Sequence, residues 1–136
     1  MKVHELFEET ERSVTSVMGQ QPEHIARDFF CSYDKLTSLE GLPSSMDSLS
    51  ISNNKLTTLH NIHKIIKRMN GAANFSGNPI ETHVLGLLLI DGLEKVWFDD
   101  NWPLVRIINK HLEGDRDVFA CQEELIEAGF EDFAQL

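Results

Sequence analysis

Apolar and polar residues follow a short pattern that recurs along the middle of this chain. Residues 29–39 read FFCSYDKLTSL, and residues 49–59 read LSISNNKLTTL, which repeats the arrangement 20 positions later. A weaker copy, ANFSGNPI, starts at Ala73, a further 24 positions along. In each copy an apolar residue recurs at every second position, which is the period of a strand with one buried face. The spacing of Val96 and Phe98 predicts a fourth, degenerate strand.

A turn follows each strand and returns another apolar residue to the core. Three residues occupy equivalent positions in this turn: Asp34, Asn54 and Asn78. An Asn side chain there can bond to neighbouring backbone groups, so stacked copies are expected to share a polar spine. An ionised Asp34 can only accept hydrogen bonds, so the first copy is expected to be less ideal. One copy cannot bury its own apolar face, and stacking is therefore expected.

Helical patterns precede and connect the copies. Apolar residues at helical spacing predict an amphipathic helix over residues 3–19, and residues 22–28 resemble a short helical half-repeat. Helical spacing recurs between the copies over residues 61–69 and 81–90. The chain is therefore expected to alternate short strands with helical return segments.

Two helices are predicted after the last strand. Pro103 suits the first turn of a helix that ends near Leu112. The segment 115–117 starts a second helix, with Val118, Cys121, Leu125 and Ile126 apolar, and Gly129 follows its end. We expect one α/β domain over residues 1–136, built as a short repeat solenoid with a small parallel sheet. Its predicted parts are a helical N-terminal cap (1–28), three to four repeats (29–98) and a helical C-terminal cap (99–136).

The sequence predicts a cytoplasmic protein. No apolar run approaches the roughly 18–20 residues of a membrane span, so no membrane partner is expected. The first residues are charged where a secretory signal would be apolar. Cys31 and Cys121 are the two cysteines, and they are expected to be free, buried thiols.

Residues that could carry chemistry do not combine into a recognisable site. His60 and His63 lie three positions apart, but no Cys or third His follows at a metal-finger spacing. The sequence contains no nucleophile elbow, phosphate loop or dinucleotide fingerprint. We therefore predict no metal, no cofactor and no enzymatic activity.

The net charge of −10 is unevenly distributed. Residues 84–136 contain four Lys or Arg and twelve Asp or Glu, whereas residues 29–83 have a net charge of +1. An acidic surface argues against direct binding of nucleic acid, which needs basic side chains. The acidic region is interpreted either as a solvated face or as a lure for a basic partner.

The outward residues of the strands define a candidate protein-binding surface. Its central row and one flanking row are predicted to contain Phe30, Ser32, Ser50, Ser52, Asn74, Ser76, Trp97 and Asp99. Aromatic residues at the two ends of such a surface are typical binding hot spots. The alternative is that the caps cover both rings, with Trp102 packed beside Trp97.

The repeats resemble those of leucine-rich-repeat proteins, with Leu49, Ile51, Asn54 and Leu56 filling the pattern L-x-L-x-x-N-x-L. Residues 30–43 are similar to the C-S-x-N-x-L-T-S-L-E-G-x-P repeats of large tailed bacteriophages and some bacteria. The tail from Cys121 to Leu136 looks similar to endings of such phage proteins. The resemblance implies a solenoid, a host-cytoplasmic setting and protein binding, and it implies no catalytic residues.

These observations predict a non-catalytic protein-interaction module, a phage accessory protein that binds or inhibits a host or phage protein through its concave face. One alternative is an acidic decoy that inhibits a basic, nucleic-acid-binding host defence protein. Another is a structural or assembly component of the phage, which would self-associate. Binding by the decoy should weaken steeply with salt, whereas binding by aromatic anchors should change little.

Overall fold

The computed structural model describes residues 12–99 and 102–136. The α-helices in these ranges are α1 (Val14–Met18), α2 (Ile62–Ile65), α3 (Trp102–Glu113) and α4 (Val118–Glu127), with a 3₁₀ helix at Leu85–Leu89. The strands are β1 (Phe29–Phe30), β2 (Ser45–Met46), β3 (Leu49–Ser50), β4 (Arg68–Met69), β5 (Ala72–Asn74) and β6 (Lys95–Trp97). The described part is therefore a mixed α/β structure.

Four strands pair in parallel to form the larger sheet, in the order β1, β3, β5 and β6. Its register aligns one inward residue from each copy: Phe29, Leu49, Ala73 and Val96. All four are buried in one continuous apolar core. Phe75 stacks on Phe98 with ring centroids 5.7 Å apart. The predicted strands, including the degenerate fourth, are thus confirmed.

A second parallel ladder lies beside the first and has no counterpart in the predictions. It consists of β2 paired with β4, extended by isolated bridges from His24 to Ser45 and from Arg68 to Asp91. The helical half-repeat predicted for residues 22–28 is wrong. The Ile25 N–H donates instead to the Ser45 carbonyl at 3.1 Å, so the local backbone bonds to the next copy rather than to itself.

The connecting helices are shorter than the helical spacing predicts. Helix α2 covers only part of residues 61–69, because the N–H groups of Lys67 and Arg68 both donate to the Ser44 carbonyl. The segment 81–90 contains a 3₁₀ helix, and the N–H groups of His83 and Val84 just before it donate to carbonyls of the C-terminal tail. In both segments, partners from distant parts of the chain take the backbone donors that a longer helix would use.

Both helices predicted after the sheet are confirmed. Helix α3 buries Leu104, Val105, Ile107, Ile108 and Leu112 against the core. Helix α4 begins after Asp117, whose carboxylate accepts from the Ala120 N–H at 3.0 Å, and it buries Cys121 and Leu125. Ile126 is exposed, so it does not belong to the buried face of α4.

Helix α1 lies near the start of the described chain. Ser13 and Ser16 form a reciprocal capping box at α1, which lies inside the predicted helix over residues 3–19. Residues 1–11 of that prediction lie outside the described residues.

Within residues 12–99 and 102–136, no helix combines the length and apolar character needed to cross a bilayer.

Candidate binding surface

The larger sheet presents one row of outward side chains in strict register. Phe30 is aligned with Ser50, Ser50 with Asn74, and Asn74 with Trp97. The two ends of the row are exposed aromatic rings, Phe30 at 64% and Trp97 at 41%. Parallel pairing produces this row because each strand places the same outward position at the same height. We call these four residues the central row.

The flanking row consists of Ser32, Ser52, Ser76 and Asp99, and these residues form hydrogen bonds within the surface. The hydroxyls of Ser32 and Ser52 lie 3.0 Å apart, so one donates to the other. The Asn74 carboxamide oxygen accepts from the Ser76 N–H at 2.9 Å, and the Asp99 carboxylate accepts from the Gly77 N–H. These small polar groups form an ordered floor between the two aromatic ends.

A cation borders the C-terminal end of the central row. The Lys95 ammonium lies 4.2 Å from the centroid of a Trp97 ring, an arrangement that gives a cation–π attraction. Lys95 and Trp97 are two residues apart on β6 and therefore lie on the same face of the sheet. Trp97 thus offers an apolar ring with a positive charge beside it.

Two asparagine side chains beneath the turns connect successive copies. The Asn54 carboxamide oxygen accepts from the N–H groups of Asp34 and Leu36, both at 3.0 Å. Its amide donates to the carbonyls of Cys31 at 2.7 Å and Ile51 at 2.9 Å. Asn54 is buried, so these bonds satisfy backbone groups that water does not reach.

Asn78 repeats this arrangement one copy later. Its oxygen accepts from the Leu56 N–H at 3.1 Å, and its amide donates to the carbonyls of Ile51 and Phe75. The expected polar spine is therefore present. At the equivalent position of the first copy, Asp34 accepts a hydrogen bond from the Cys31 thiol at 3.3 Å.

Sequence reasoning missed Tyr33, which lies beside the N-terminal end of the central row. Three equivalent positions just before the spine have a positive φ: Tyr33 at 60°, Asn53 at 57° and Gly77 at 77°. Asn and Gly are the residues that tolerate this left-handed conformation, whereas Tyr is strained in it. Tyr33 is nonetheless 78% exposed and so gains little from burial. A sequence signal existed, because Tyr replaces the turn-forming residue of the other copies.

Helix α3 closes the opposite edge of the sheet. The Asn109 carboxamide oxygen accepts from the Val96 N–H at 2.9 Å, and its amide donates to the Val96 carbonyl at 3.1 Å. A further strand paired with β6 would offer Val96 the same donor and acceptor. The Arg116 guanidinium donates to the carbonyls of Ile90 and Leu93, beside the end of the second ladder. These side chains protect an edge that could otherwise pair with another chain.

Both thiols are buried and free. Burial, reinforced at Cys31 by the nearby Asp34 carboxylate, raises the pKa of each thiol to about 12, so neither is a thiolate at neutral pH. The imidazoles of His60 and His83 are in contact, with ring centroids 4.7 Å apart. The Nδ1 atoms of His63 and His83 are buried without a hydrogen-bond partner among the described residues.

The chemistry of the candidate surface lies in its exposed rings and small polar groups. In residues 12–99 and 102–136, no three His, Cys, Asp or Glu side chains come together as a possible metal-binding group. The central row instead combines two exposed rings with hydrogen-bonding side chains between them, a combination typical of protein interfaces. The chain matches no family model, no curated protein and no solved structure.

Proposed function

We propose that this chain is a short leucine-rich-repeat solenoid with helical caps that binds a protein partner without catalysing a reaction. The proposed binding surface is the central row with Tyr33 and the flanking serines. The partner is a host or phage protein, as the resemblance to phage repeats suggests. The observation that carries the proposal is the registered row, with exposed Phe30 and Trp97 at its ends.

The repeat interpretation is supported by contacts between successive copies. The aligned residues of the larger sheet are separated by 20, 24 and 23 positions, so the chain returns to an equivalent place after each interval. Asn54 and Asn78 each bond to the copy before their own. Such nearest-neighbour stacking is the organising feature of solenoid proteins.

The strain at Tyr33 supports binding at the N-terminal end of the surface. A left-handed Tyr is unfavourable for folding, and the exposed ring returns little stability in the free protein. Tyr is among the residues enriched in binding hot spots. A partner that covers Phe30 and Tyr33 would explain why an aromatic residue occupies a position suited to Asn or Gly.

Affinity capture with matched variants tests the proposal. The wild-type chain, the double variant Phe30→Ala/Trp97→Ala and the control Phe119→Ala are used to capture proteins from infected and uninfected bacterial lysates. Phe119 is 80% exposed but lies on α4, outside the larger sheet. We expect the wild type and the control to retain the same partner at high salt and the double variant to lose it. Capture by the double variant at wild-type level would contradict the proposed surface.

The same experiment tests an alternative in which the acidic C-terminal region is the binding element. Glu123, Glu127, Glu131 and Asp132 are exposed on or just after α4, which supports an acidic decoy for a basic partner. Such a partner should dissociate at high salt and should not respond to Phe30→Ala. Recovery of phage structural proteins, or of the chain itself, would instead support an assembly role.

A further inference from the structure

A groove lies between β6 and α3, at the C-terminal end of the sheet. Its volume is about 370 Å³, within the usual range of small binding pockets. The basic and apolar residues that line it are Lys95, Trp97, Trp102, Val105, Arg106 and Lys110. Trp102 is 63% exposed, and Trp97 and Trp102 are the only two tryptophans of the chain. We call this feature the tryptophan groove.

The tryptophan groove concentrates positive charge in an acidic part of the chain. Residues 84–136 contain four Lys or Arg, namely Lys95, Arg106, Lys110 and Arg116. Arg116 is bonded to backbone carbonyls, and the other three line the groove. The basic residues of this acidic region are therefore clustered at the groove and not scattered over the surface.

Two of the three groove cations, Lys95 and Arg106, have no carboxylate partner among the described residues. The Lys110 ammonium is 2.6 Å from the Glu124 carboxylate and is therefore already paired. The Lys95 ammonium lies over Trp97, and Arg106 has no ion-pair or hydrogen-bond partner within residues 12–99 and 102–136. Glu113 is the single carboxylate among the residues that line the groove. A guanidinium and an ammonium beside indole rings fit a ligand with carboxylates next to an apolar side chain.

We propose that the tryptophan groove binds a short acidic peptide segment that contains one bulky apolar residue. The apolar side chain packs between the indole rings, and neighbouring Asp or Glu carboxylates pair with Lys95 and Arg106. A nucleic acid fits less well, because its one charge per nucleotide is repelled more strongly by the chain's net charge of −10 than a peptide with one or two carboxylates. The inference shares Trp97 with the proposed function but does not depend on Phe30 or Tyr33.

A randomised twelve-residue peptide display library, selected on the wild-type chain, supplies the probes. Enriched peptides are synthesised without tryptophan and titrated against the protein while its fluorescence is recorded. Both tryptophans line the groove, so the intrinsic emission reports binding there directly. We expect enrichment of acidic peptides with one apolar residue, a saturable change in emission, and weaker binding at high salt.

Charge-matched variants locate the site. Lys95→Glu/Arg106→Glu should weaken peptide binding about tenfold or more, the effect of losing a binding hot spot. Lys55→Glu/Lys64→Glu changes the net charge equally through two exposed lysines away from the groove, and it should weaken binding about twofold at most through long-range effects. Circular dichroism and thermal unfolding confirm that each variant is folded.

The remaining outcomes separate this inference from the proposed function. No enrichment, enrichment of basic peptides, or equal losses in both charge variants would overturn the groove assignment. Competition by a ten-residue oligothymidylate at equal concentration would overturn the choice of a peptide ligand. The variant Phe30→Ala/Tyr33→Ala should bind the acidic peptides normally yet lose the partner of the proposed function.

Discussion

The two ends of the four-stranded sheet are built in different ways. At the β6 end, the Asn109 side chain occupies both hydrogen-bonding groups of Val96, as a further strand would. At the β1 end, the exposed rings of Phe30 and Tyr33 lie on and just after the edge strand. Helix α3 thus closes the β6 end, whereas the β1 end carries exposed aromatic rings, and the proposed function assigns partner contact to those rings.

The spine shows the same difference on a smaller scale. Asn54 donates to and accepts from the copy before it, whereas Asp34 belongs to the first copy and has no earlier copy to contact. An acceptor-only carboxylate therefore suits the position of Asp34. Substitution of Asp34 should reduce stability little, whereas substitution of Asn54 should reduce it strongly. A residue that looks less ideal in the repeat pattern is thus compatible with its place at the end of the stack.

Thiol labelling compares the first copy with the C-terminal helices, because each contains one of the two cysteines. A pKa of about 12 implies roughly a thousandfold less thiolate than in an ordinary thiol, so both cysteines should react far more slowly in the folded than in the unfolded chain. We expect Cys31, next to the edge strand β1, to react before Cys121 on α4. Mass spectrometry of peptides after timed alkylation measures both rates. Earlier labelling of Cys121 would reverse the comparison.

Exchanging the spine residues should separate an interior copy from a terminal one. Asn54→Asp removes the donated bonds and places a carboxylate against buried carbonyls, so it should reduce the free energy of unfolding by about 3–5 kcal/mol. Asp34→Asn should change it by about 0.5 kcal/mol or less, because Asn can still accept from Cys31. Urea denaturation measures both values. Equal losses would mean that Asn54 and Asp34 stabilise their turns to the same extent.

Asn109→Ala should open the β6 edge. Loss of the bonds to Val96 is expected to reduce the free energy of unfolding by about 2 kcal/mol. Glu113→Ala, an exposed change on the same helix, is the control and should have little effect. Amide hydrogen exchange should show faster exchange at Val96 in the Asn109 variant alone. Unchanged protection at Val96 would remove the proposed role of Asn109 at this edge.

Tyr33→Asn should stabilise the β1 end. Relief of the left-handed Tyr is expected to raise the free energy of unfolding by about 1 kcal/mol. Lys55→Asn, in the same turn of the second copy but without a positive φ, is the matched control and should not stabilise. Thermal unfolding gives the shift, and partner capture should decrease in parallel. If the variant is more stable and still binds the partner fully, Tyr33 is not needed for binding.

Acidification should have the smallest effect on stability, and it acts through His63 on α2. Burial, with Lys64, Lys67 and His60 nearby, lowers the pKa of His63 below 6.5, so the folded protein favours neutral imidazole. Stability should be complete above pH 6.5 and decrease as the pH falls from 6.5 toward the lower folded pKa. Thermal unfolding at pH 7.5 and 5.5 should show this loss in the wild type and less of it in His63→Gln. His24→Gln, at an exposed histidine, should retain the wild-type dependence.

The inward and outward positions of the larger sheet could be predicted because they depend on period-two alternation alone. Phe29, Leu49, Ala73 and Val96 point inward as that period requires, and the spine residues follow at fixed offsets. The positions of Phe30 and Trp97 on the outer face follow from the same rule. Their exposure does not, because it depends on where the flanking segments pack.

The copies, their strands, the spine and the helices that follow the sheet are encoded locally, because each of them rests on periodicity and turn chemistry. The second ladder through His24 and Asp91, the bonds of Asn109 to Val96, and the tryptophan groove are not encoded in this way. They arise where segments that are distant in the sequence pack and bond together. A pattern read along one copy cannot identify such partners, for example the Ser44 carbonyl that ends α2 or the Asn109 side chain that bonds to Val96.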